Sequence, residues 1–383
     1  MQCICVIGGY PSPARPTAMA FVREIAHGFA RAGKDVVVVS PVPFPRCLDR
    51  QGYPFSKEEG RYASGGRVVV FRPATVSFST LIRRPWMGPL NPTRLSAAFD
   101  EFAIRRTLKR QCVCPDVFYG HFIGNGIVAS HVARRFDKPV FAGIGESSFS
   151  FVKDVGLNYY RREARKINAF VPNASHFVPV LRELFAISED RQHVFPNGID
   201  STLFYPRDKI SARVKYKIPE GAFVVGSTGH FIYRKGINRV AEAIRDLDDV
   251  CGIFAGRGGL PPVGSNVLFR KPVRHEELPE FLSACDVFVL PTLSEGCCNA
   301  IAEAMACGLP VISSNNIYVD DQLDETCSIR VDPLNVQALR EAICELKINC
   351  EKRNRLAAGA LERAKLFDIN LRIRKMLALF FEE

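Results

Sequence analysis

The stretch LPTLSEGCCNAIAEAMACGLPVISS, residues 290–314, runs from the end of an apolar strand through a loop into a helix and then into a second strand. The helix is predicted from Asn299 to Cys307, and Gly308 follows it as a stop signal. Strand, helix and strand in close succession are typical of a parallel sheet covered by helices. This stretch therefore predicts an α/β fold.

The same alternation extends through most of the chain in both directions. The first half is predicted to contain strands at 3–7, 35–39, 67–71, 116–119 and 139–143 and helices near 17–32, 93–109 and 126–135. The second half is predicted to contain strands at 222–228, 251–256, 267–269, 286–290 and 310–314 and helices near 236–246, 276–283, 299–307, 336–347, 351–366 and 370–381. Two such series predict two doubly wound domains, 1–178 and 179–366, with a terminal helix in 367–383 crossing back to the first and a ligand cleft at the carboxyl ends of the strands.

Length and composition exclude several classes of protein. A chain of 383 residues with 47% hydrophobic residues is too long for one hydrophobic core and too apolar for disorder. No apolar run reaches the roughly 18 residues of a membrane span, and the start lacks the basic residues of a secretory signal, so a cytoplasmic protein is expected. The thirteen cysteines are predicted to be mostly reduced and buried, because neither Cys112 with Cys114 nor Cys297 with Cys298 has a second pair at metal-site spacing.

Positive charge is concentrated in the first half of the chain. Residues 1–195 carry 27 Lys and Arg against 15 Asp and Glu, a balance of +12, whereas the remainder carries 24 against 25, a balance of −1. This asymmetry predicts docking of the first domain on an anionic membrane face, with LIRRPWM at 81–87 as the inserting segment. The alternatives are solvated helix faces and a buried Trp86. Nucleic acid is not expected as a partner, because the basic half lacks an interleaved aromatic stacking pattern and any recognised nucleic-acid-binding motif.

The residues around the start of the helix at Asn299 form a candidate binding site. N–H groups left unpaired at a helix start attract a diphosphate or a hydroxyl, and Gly296 lets the backbone approach a ligand closely. Glu295 and Glu303 could then hold hydroxyls at two points of a sugar nucleotide. The N–H groups expected to serve are those of Cys298, Asn299 and Ala300. The alternative is a surface loop with two solvated carboxylates.

The segment from Glu295 to Ile312 resembles the E-x7-E element, EGxxxxxxEAMAxGxPVI, of the retaining GT-B-fold glycosyltransferases of family 4. Further similarity to that family lies in PNGID at 196–200, in ELPEFLSACDVFVLPTLSEG at 277–296 and in VDPLNVQALREAI at 331–343. The opening residues 10–41 resemble members that build bacterial surface polysaccharides. The resemblance covers nearly the whole chain and implies a GT-B architecture, with two Rossmann-like lobes facing a central cleft.

Carried over to this sequence, the resemblance implies roles for individual residues of the second lobe. Glu303 would bind the ribose of the donor, Glu295 the transferred sugar, and Lys235 the leaving diphosphate. His230 stands where the family usually has an arginine, and Arg234 precedes the lysine. Arg234 either replaces the missing charge or points to solvent, and the sequence leaves both open.

Three residues of the first lobe are candidates for the other side of the cleft. His121, in YGHFIGNG at 119–126, matches a family histidine that faces the donor sugar, and Glu146 is a candidate to hold the acceptor hydroxyl. Gly9 lies on the loop expected to cover the diphosphate. The alternatives are an ordinary loop histidine and an ordinary loop carboxylate.

The expected function is transfer of a sugar with retention from a UDP- or GDP-linked donor to a glycan or lipid-linked acceptor in polysaccharide biosynthesis. No metal or cofactor is expected, because no DxD-like site appears in the cleft segments. Alternatives are a transferase acting on a small soluble acceptor, a nucleotide-sugar epimerase, and a catalytically weak nucleotide-sugar-binding assembly subunit. The expected location is the cytoplasm, with peripheral attachment to the inner face of the membrane.

Overall fold

A computed structural model describes residues 2–16, 18–78 and 80–382, and the chain forms two compact units. The first unit contains Met1–Phe195 and Ile373–Glu383, and the second contains Pro196–Arg372. The boundary therefore lies later than the expected one after residue 178. The reason is backbone pairing with the first sheet: the N–H of His193 donates to the carbonyl of Phe170, and that of Phe195 donates to Pro172.

The first unit is built on a seven-stranded sheet with the order β4-β5-β2-β1-β7-β8-β9. Its strands and a separate two-stranded pair, β3 with β6, are β1 Cys3–Ile7, β2 Asp35–Val39, β3 Val42–Pro43, β4 Ser56–Arg61, β5 Arg67–Phe71, β6 Ala74–Thr75, β7 Val117–His121, β8 Val140–Ile144 and β9 Ala169–Pro172. All neighbours in the large sheet are parallel except β4, which pairs antiparallel with β5. The central strands are almost wholly buried, as expected where helices cover both faces of a parallel sheet.

The α-helices described in residues 2–16, 18–78 and 80–195 are α1 Ala20–Arg31, α2 Pro92–Arg110, α3 Ile123–Ala133, α4 Phe151–Val155, α5 Leu157–Ala164 and α6 Phe177–Phe185. The first of them begins three residues later than predicted, after Met19 in a left-handed conformation. Thr17, where the prediction placed its start, lies outside the described residues.

The second unit is built on a six-stranded parallel sheet with the order β12-β11-β10-β13-β14-β15. Its strands are β10 Phe223–His230, β11 Val250–Arg257, β12 Val267–Lys271, β13 Val287–Leu290, β14 Val311–Ser314 and β15 Ser328–Val331. Its helices, followed by the last helix of the chain, are α7 Lys209–Lys215, α8 Ile237–Ala243, α9 Leu278–Ser283, α10 Asn299–Ala306, α11 Val336–Ile348, α12 Cys350–Ala364 and α13 Ile369–Phe381. The predicted α/β class, with a mainly parallel sheet in each of two Rossmann-like units, is confirmed.

Helix α13 packs on the first unit through its second half. The ring of Phe380 stacks on Phe141 at a centroid distance of 4.4 Å and lies 5.6 Å from the ring of Phe29 and 5.8 Å from that of Tyr119. No helix in the described part of the chain is both long and apolar enough to cross a bilayer.

Close packing between β7 and α3 places the end of β7, and with it His121. A Cβ atom added at Gly120 would lie 2.4 Å from the backbone nitrogen of Gly126 and 2.5 Å from the carbonyl of Asn125. Backbone atoms cannot give way as a flexible side chain can. We therefore expect Gly120→Ala to lower the free energy of unfolding by about 1–3 kcal/mol, measured by urea denaturation.

Gly124→Ala is the matched control, because Gly124 lies in α3 with no atom within 4 Å of the added Cβ. Alanine has a higher helix propensity than glycine, so the free energy of unfolding of this variant should be unchanged or up to about 1 kcal/mol higher. Equal urea midpoints for Gly120→Ala and the unmodified chain would contradict the packing of α3 on β7.

Candidate functional site

The candidate site of the second unit lies at the carboxyl ends of two adjacent strands, β10 and β13. Two hydrogen bonds join the segments that follow these strands: the backbone N–H of Leu293 donates to the carbonyl of Arg234 at 2.9 Å, and the guanidinium of Arg239, in α8, donates to the carbonyl of Pro291 at 2.8 Å. This edge of a parallel sheet is where α/β proteins commonly bind ligands.

The carboxylate of Glu295 is the centre of a buried ionic cluster. Its Oε1 lies 2.6 Å from the Lys235 ammonium, 3.0 Å from the Arg234 guanidinium and 2.8 Å from the Thr292 hydroxyl. The side chains of Glu295 and Lys235 are only 10% and 12% exposed. Two cations against one carboxylate leave a positive balance at this point, which favours an anionic ligand.

Lys235 is held in its charged form. Burial by itself lowers its pKa, yet the pKa is raised, because the neighbouring Cys298 and Glu295 outweigh burial. Burial raises the pKa of the Cys298 thiol to about 11, so this thiol is protonated near neutral pH. The charge that keeps Lys235 protonated there is consequently that of Glu295.

Of the two orientations that the sequence left open for Arg234, the structure has the one toward the cluster. Its guanidinium donates to Glu295 and also to the backbone carbonyl of Ser294. His230 is exposed at the end of β10. Gly236 follows Lys235 with a φ of 72°, and a side chain there would approach the carbonyl of Pro291 within 2.6 Å, so this glycine lets the two loops come together.

The start of α10 differs in one respect from the prediction. The N–H of Cys298 is not available to a ligand, because it donates to the side-chain oxygen of Gln322 at 2.8 Å, and the amide of Gln322 donates in return to the Cys298 carbonyl at 3.0 Å. The N–H groups of Asn299 and Ala300 make no hydrogen bond within the described residues. Two backbone donors therefore remain at the positive end of this helix. Gly296 is half-buried in the loop before it.

Two contacts that sequence reasoning missed hold this region together. The side-chain amide of Asn197, in the PNGID element, donates to the carbonyl of Cys297 at 3.2 Å and to the side chain of Asn299 at 3.0 Å. Glu303, in the second turn of α10, is 7% exposed, and its Oε1 lies 3.4 Å from the Nε2 of His275. The similarity of PNGID to a family motif was the only sequence signal for the first contact, and nothing signalled the second.

All thirteen cysteines are free thiols, and eight of them are buried, as predicted. Cys112 and Cys114 are exposed. Burial raises the pKa of Cys297 to about 12, so this thiol is protonated near neutral pH. In residues 2–16, 18–78 and 80–382 no three His, Cys, Asp or Glu side chains lie close enough to share a metal ion.

In the first unit, Gly9, His121 and Glu146 lie at the carboxyl ends of three adjacent strands, β1, β7 and β8. Gly9 is exposed on the loop after β1. His121 is buried; its Nδ1 lies 2.9 Å from the hydroxyl of Tyr119, and its ring lies against that of Phe21 at 4.9 Å.

Glu146 binds the start of α3. One carboxylate oxygen accepts the N–H of Ile123 at 2.6 Å, and the other accepts that of Gly145 at 2.9 Å. Burial raises the pKa of this carboxyl group, although the backbone N–H groups oppose the shift. Glu146 thus has a structural role as a helix cap, whatever ligand it also contacts.

Two family models match the chain. Residues 20–203 match the family described as Glycosyltransferase Family 4, and residues 222–349 match the family described as Glycosyl transferases group 1. Together the two matches include the candidate residues of both units except Gly9.

A curated relative and two solved structures resemble the whole chain. The chain is 24% identical to a putative teichuronic acid biosynthesis glycosyltransferase, TuaC of Bacillus subtilis, over 90% of its own length and 88% of the relative's. Sucrose-phosphate synthase from Thermosynechococcus elongatus has a TM-score of 0.78 at 20% identity, covering 100% of this chain and 99% of its own. Anabaena HepE, solved with UDP-glucose, has a TM-score of 0.70 at 18% identity, and the match covers 99% of this chain and 100% of the HepE chain. The fold is that of the GT-B glycosyltransferases, with two Rossmann-like units.

Gln322 should position the start of α10. Gln322→Ala would leave the buried N–H and carbonyl of Cys298 without partners, so we expect the free energy of unfolding to fall by about 1–3 kcal/mol in urea denaturation. Gln337→Ala is the control, because Gln337 is exposed on α11, and its change should stay within about 0.5 kcal/mol. Equal stability of the two variants would show that Gln322 does not hold the loop.

Proposed function

The chain belongs to the family 4 glycosyltransferases, and we propose that it transfers a sugar with retention from a UDP- or GDP-linked donor to a lipid-linked glycan, without a metal ion. Its membership of that family makes it a glycosyltransferase; the donor, the acceptor, retention and metal independence are the proposal. The observation that carries the donor assignment is the contact of the buried Glu295 carboxylate with Lys235 and Arg234.

The two cations would bind the diphosphate of the donor. Leaving-group charge develops as the bond between the sugar and the diphosphate breaks, and a fixed, desolvated cation stabilises that charge more in the transition state than in the ground state. The N–H groups of Asn299 and Ala300 add the positive end of α10. HepE was solved with UDP-glucose, which supports a uridine donor as the first to be tried.

The two glutamates would bind hydroxyl groups of the donor. All contacts of Glu295 within the described residues fall on Oε1, which leaves Oε2 able to accept a sugar hydroxyl. Glu303 meets His275 through Oε1 in the same way, and its second oxygen is the one proposed for the ribose. Each carboxylate is thus oriented by a contact on one oxygen while the other oxygen serves the ligand.

Fixed cations at the diphosphate supply the charge that a metal ion would otherwise bring, which supports metal-independent transfer. In a retaining transfer the acceptor oxygen bonds to the anomeric carbon on the face that the diphosphate leaves, and the hydroxyl proton passes to the departing phosphate oxygen. The resemblance to retaining enzymes supports this outcome, and the anomeric configuration of the product, read by NMR, tests it.

The acceptor would be bound by the first unit, with Glu146 after β8 holding its hydroxyl and His121 at the end of β7 donating to a hydroxyl of the donor sugar or orienting the acceptor. The name of TuaC places that relative in teichuronic acid biosynthesis, which supports a surface glycan as the acceptor class here. Glu146 could share its carboxylate with an acceptor hydroxyl, since a carboxylate has about four acceptor positions and three backbone N–H groups, those of Ile123, Gly145 and Glu146, act on it.

A lipid-linked acceptor requires contact with a membrane, and residues 81–90 are suited to it. Trp86 is 82% exposed, so the alternative of a buried Trp86 is wrong. Ile82 and Leu90 are 75% and 70% exposed in the same segment, beside Arg83 and Arg84. We propose that this segment inserts at an anionic membrane face, toward which the +12 balance of residues 1–195 would draw the first unit.

The first prediction for this function concerns Lys235. A panel of UDP- and GDP-sugars scored by thermal shift selects the donor, and release of free nucleotide then measures turnover. Lys235→Ala should lower turnover about 100-fold or more, whereas Lys271→Ala, which removes an exposed lysine from β12, should not. Chelation of divalent ions with EDTA should leave the rate unchanged.

If Arg234 supplies the second cation, Arg234→Ala should lower turnover about as much as Lys235→Ala does. His230→Ala should lower turnover much less. A fully active Arg234 variant beside an inactive His230 variant would reverse this assignment. No nucleotide release from any donor of the panel would favour a nucleotide-sugar-binding subunit over an enzyme.

The second prediction uses Trp86, the only tryptophan of the chain, as a reporter of insertion. Its emission should shift to shorter wavelength with anionic vesicles and not with neutral ones, and salt should reverse the shift. Arg83→Gln with Arg84→Gln should weaken binding by about 2 kcal/mol, since each arginine near an anionic surface contributes about 1 kcal/mol. Arg134→Gln with Arg135→Gln removes the same charge elsewhere and should have a smaller effect. Unshifted emission with both vesicle types would contradict insertion.

A further inference from the structure

An apolar groove of about 610 Å³ lies in the first unit, between α2 and the segment that connects β3 to β4. Four phenylalanine rings that are 41–65% exposed line it, namely Phe44, Phe55, Phe99 and Phe102. Single exposed apolar residues are normal on a protein surface, but four aromatic rings around one groove mark a binding surface. The volume lies within the range of pockets that hold small organic ligands.

Three arginines line the same groove: Arg50 and, one helical turn apart on α2, Arg106 and Arg110. All three are exposed, and no hydrogen bond or ion pair to their guanidinium groups occurs within residues 2–16, 18–78 and 80–382. The adjacent Arg105, by contrast, pairs with Glu101 at 3.0 Å. Guanidinium groups bind phosphate through paired N–H donors, so the groove offers phosphate-binding groups beside its apolar rings.

The rings and the arginines on α2 share one face of the helix. Phe99, Phe102, Arg106 and Arg110 are spaced three and four residues apart, which places them in one stripe that is aromatic at one end and basic at the other. An occupant that matches this stripe is apolar at one end and anionic at the other. A polar glycan or a free phosphate ion would leave the four rings in water.

We propose that the groove binds the phosphate and the adjoining hydrocarbon chain of a membrane lipid phosphate, the lipid that carries the acceptor glycan. The arginines pair with the phosphate oxygens, and the phenylalanine rings cover the first part of the chain. Helix α2, which lines the groove, begins at Pro92, directly after the exposed segment 81–90 that is proposed to contact the membrane. This inference rests on the proposed function, because it names the lipid part of that acceptor.

The test is calorimetric titration of the full chain with farnesyl diphosphate as the probe, kept below its micellar concentration. UDP is present at saturation, so that the diphosphate group cannot occupy the site at Lys235. Farnesol and inorganic diphosphate are titrated in parallel. Farnesol represents the hydrocarbon part of the probe alone, and inorganic diphosphate represents its anionic part alone. Farnesyl diphosphate should bind at least tenfold more tightly than either. Equal affinity for inorganic diphosphate would overturn the proposal, because the apolar rings would then contribute nothing.

Variants of exposed residues separate binding in the groove from binding elsewhere. Arg106→Gln with Arg110→Gln, and separately Phe102→Ser, should each weaken farnesyl diphosphate binding at least tenfold, whereas the control pair Arg134→Gln with Arg135→Gln should not. Unchanged thermal unfolding shows that the variants are folded. Unchanged affinity in both groove variants would overturn the proposal. The proposal would also be overturned if farnesyl diphosphate did not bind and sedimentation showed a dimer that the groove variants dissociate.

The two proposals fail in different ways. Loss of UDP and donor binding with farnesyl diphosphate binding intact contradicts the proposed function and leaves the groove as a lipid phosphate site. Intact donor binding with no binding of farnesyl diphosphate contradicts the groove and leaves the transferase with an acceptor held in another way.

Discussion

The contact between the carboxylate of Glu295 and the ammonium of Lys235 is the interaction on which the candidate donor site depends. Removing either charge from water alone costs several kcal/mol, so each group can be buried only because the other is present. Arg234 and Thr292 meet the same carboxylate oxygen, which ties the loop after β10 to the loop after β13. The cations proposed to bind a diphosphate and the carboxylate oxygen proposed for a sugar hydroxyl are therefore fixed relative to each other before any ligand binds.

The sequence predicted the parallel core well. Buried strands are apolar throughout, whereas apolar residues in helices recur every three to four positions, so the two can be told apart. The strand at Arg67–Phe71 and the helix starts at Val336 and Asn299 agree with the structure. The edge strand Ser56–Arg61 was missed, because it reads SKEEGR and its pairing with β5 gives it a strand conformation without an apolar pattern. The domain boundary was set too early for a related reason: the pairing of residues 193–195 with β9 is a backbone contact that side-chain patterns do not encode.

The sequence could name candidates for the site but not their contacts. The E-x7-E motif singled out Glu295 and Glu303, and the resemblance to family 4 singled out Lys235. The orientation of Arg234 and the capture of the Cys298 N–H by Gln322 depend on contacts between segments 61 and 24 residues apart, which one sequence does not reveal. The exposed Trp86 likewise required the fold, since a lone tryptophan between arginines is compatible with burial or exposure.

The most direct test of the donor site compares Glu303→Ala with Glu295→Ala in calorimetry and kinetics with the selected nucleotide sugar. Ribose contacts persist through the reaction, whereas contacts to the transferred sugar tighten as charge develops. The account predicts that Glu303→Ala weakens binding of both the nucleotide and the nucleotide sugar, while Glu295→Ala lowers turnover more than it weakens binding. Unaltered donor affinity together with unaltered turnover in both variants would contradict the assignment of this site.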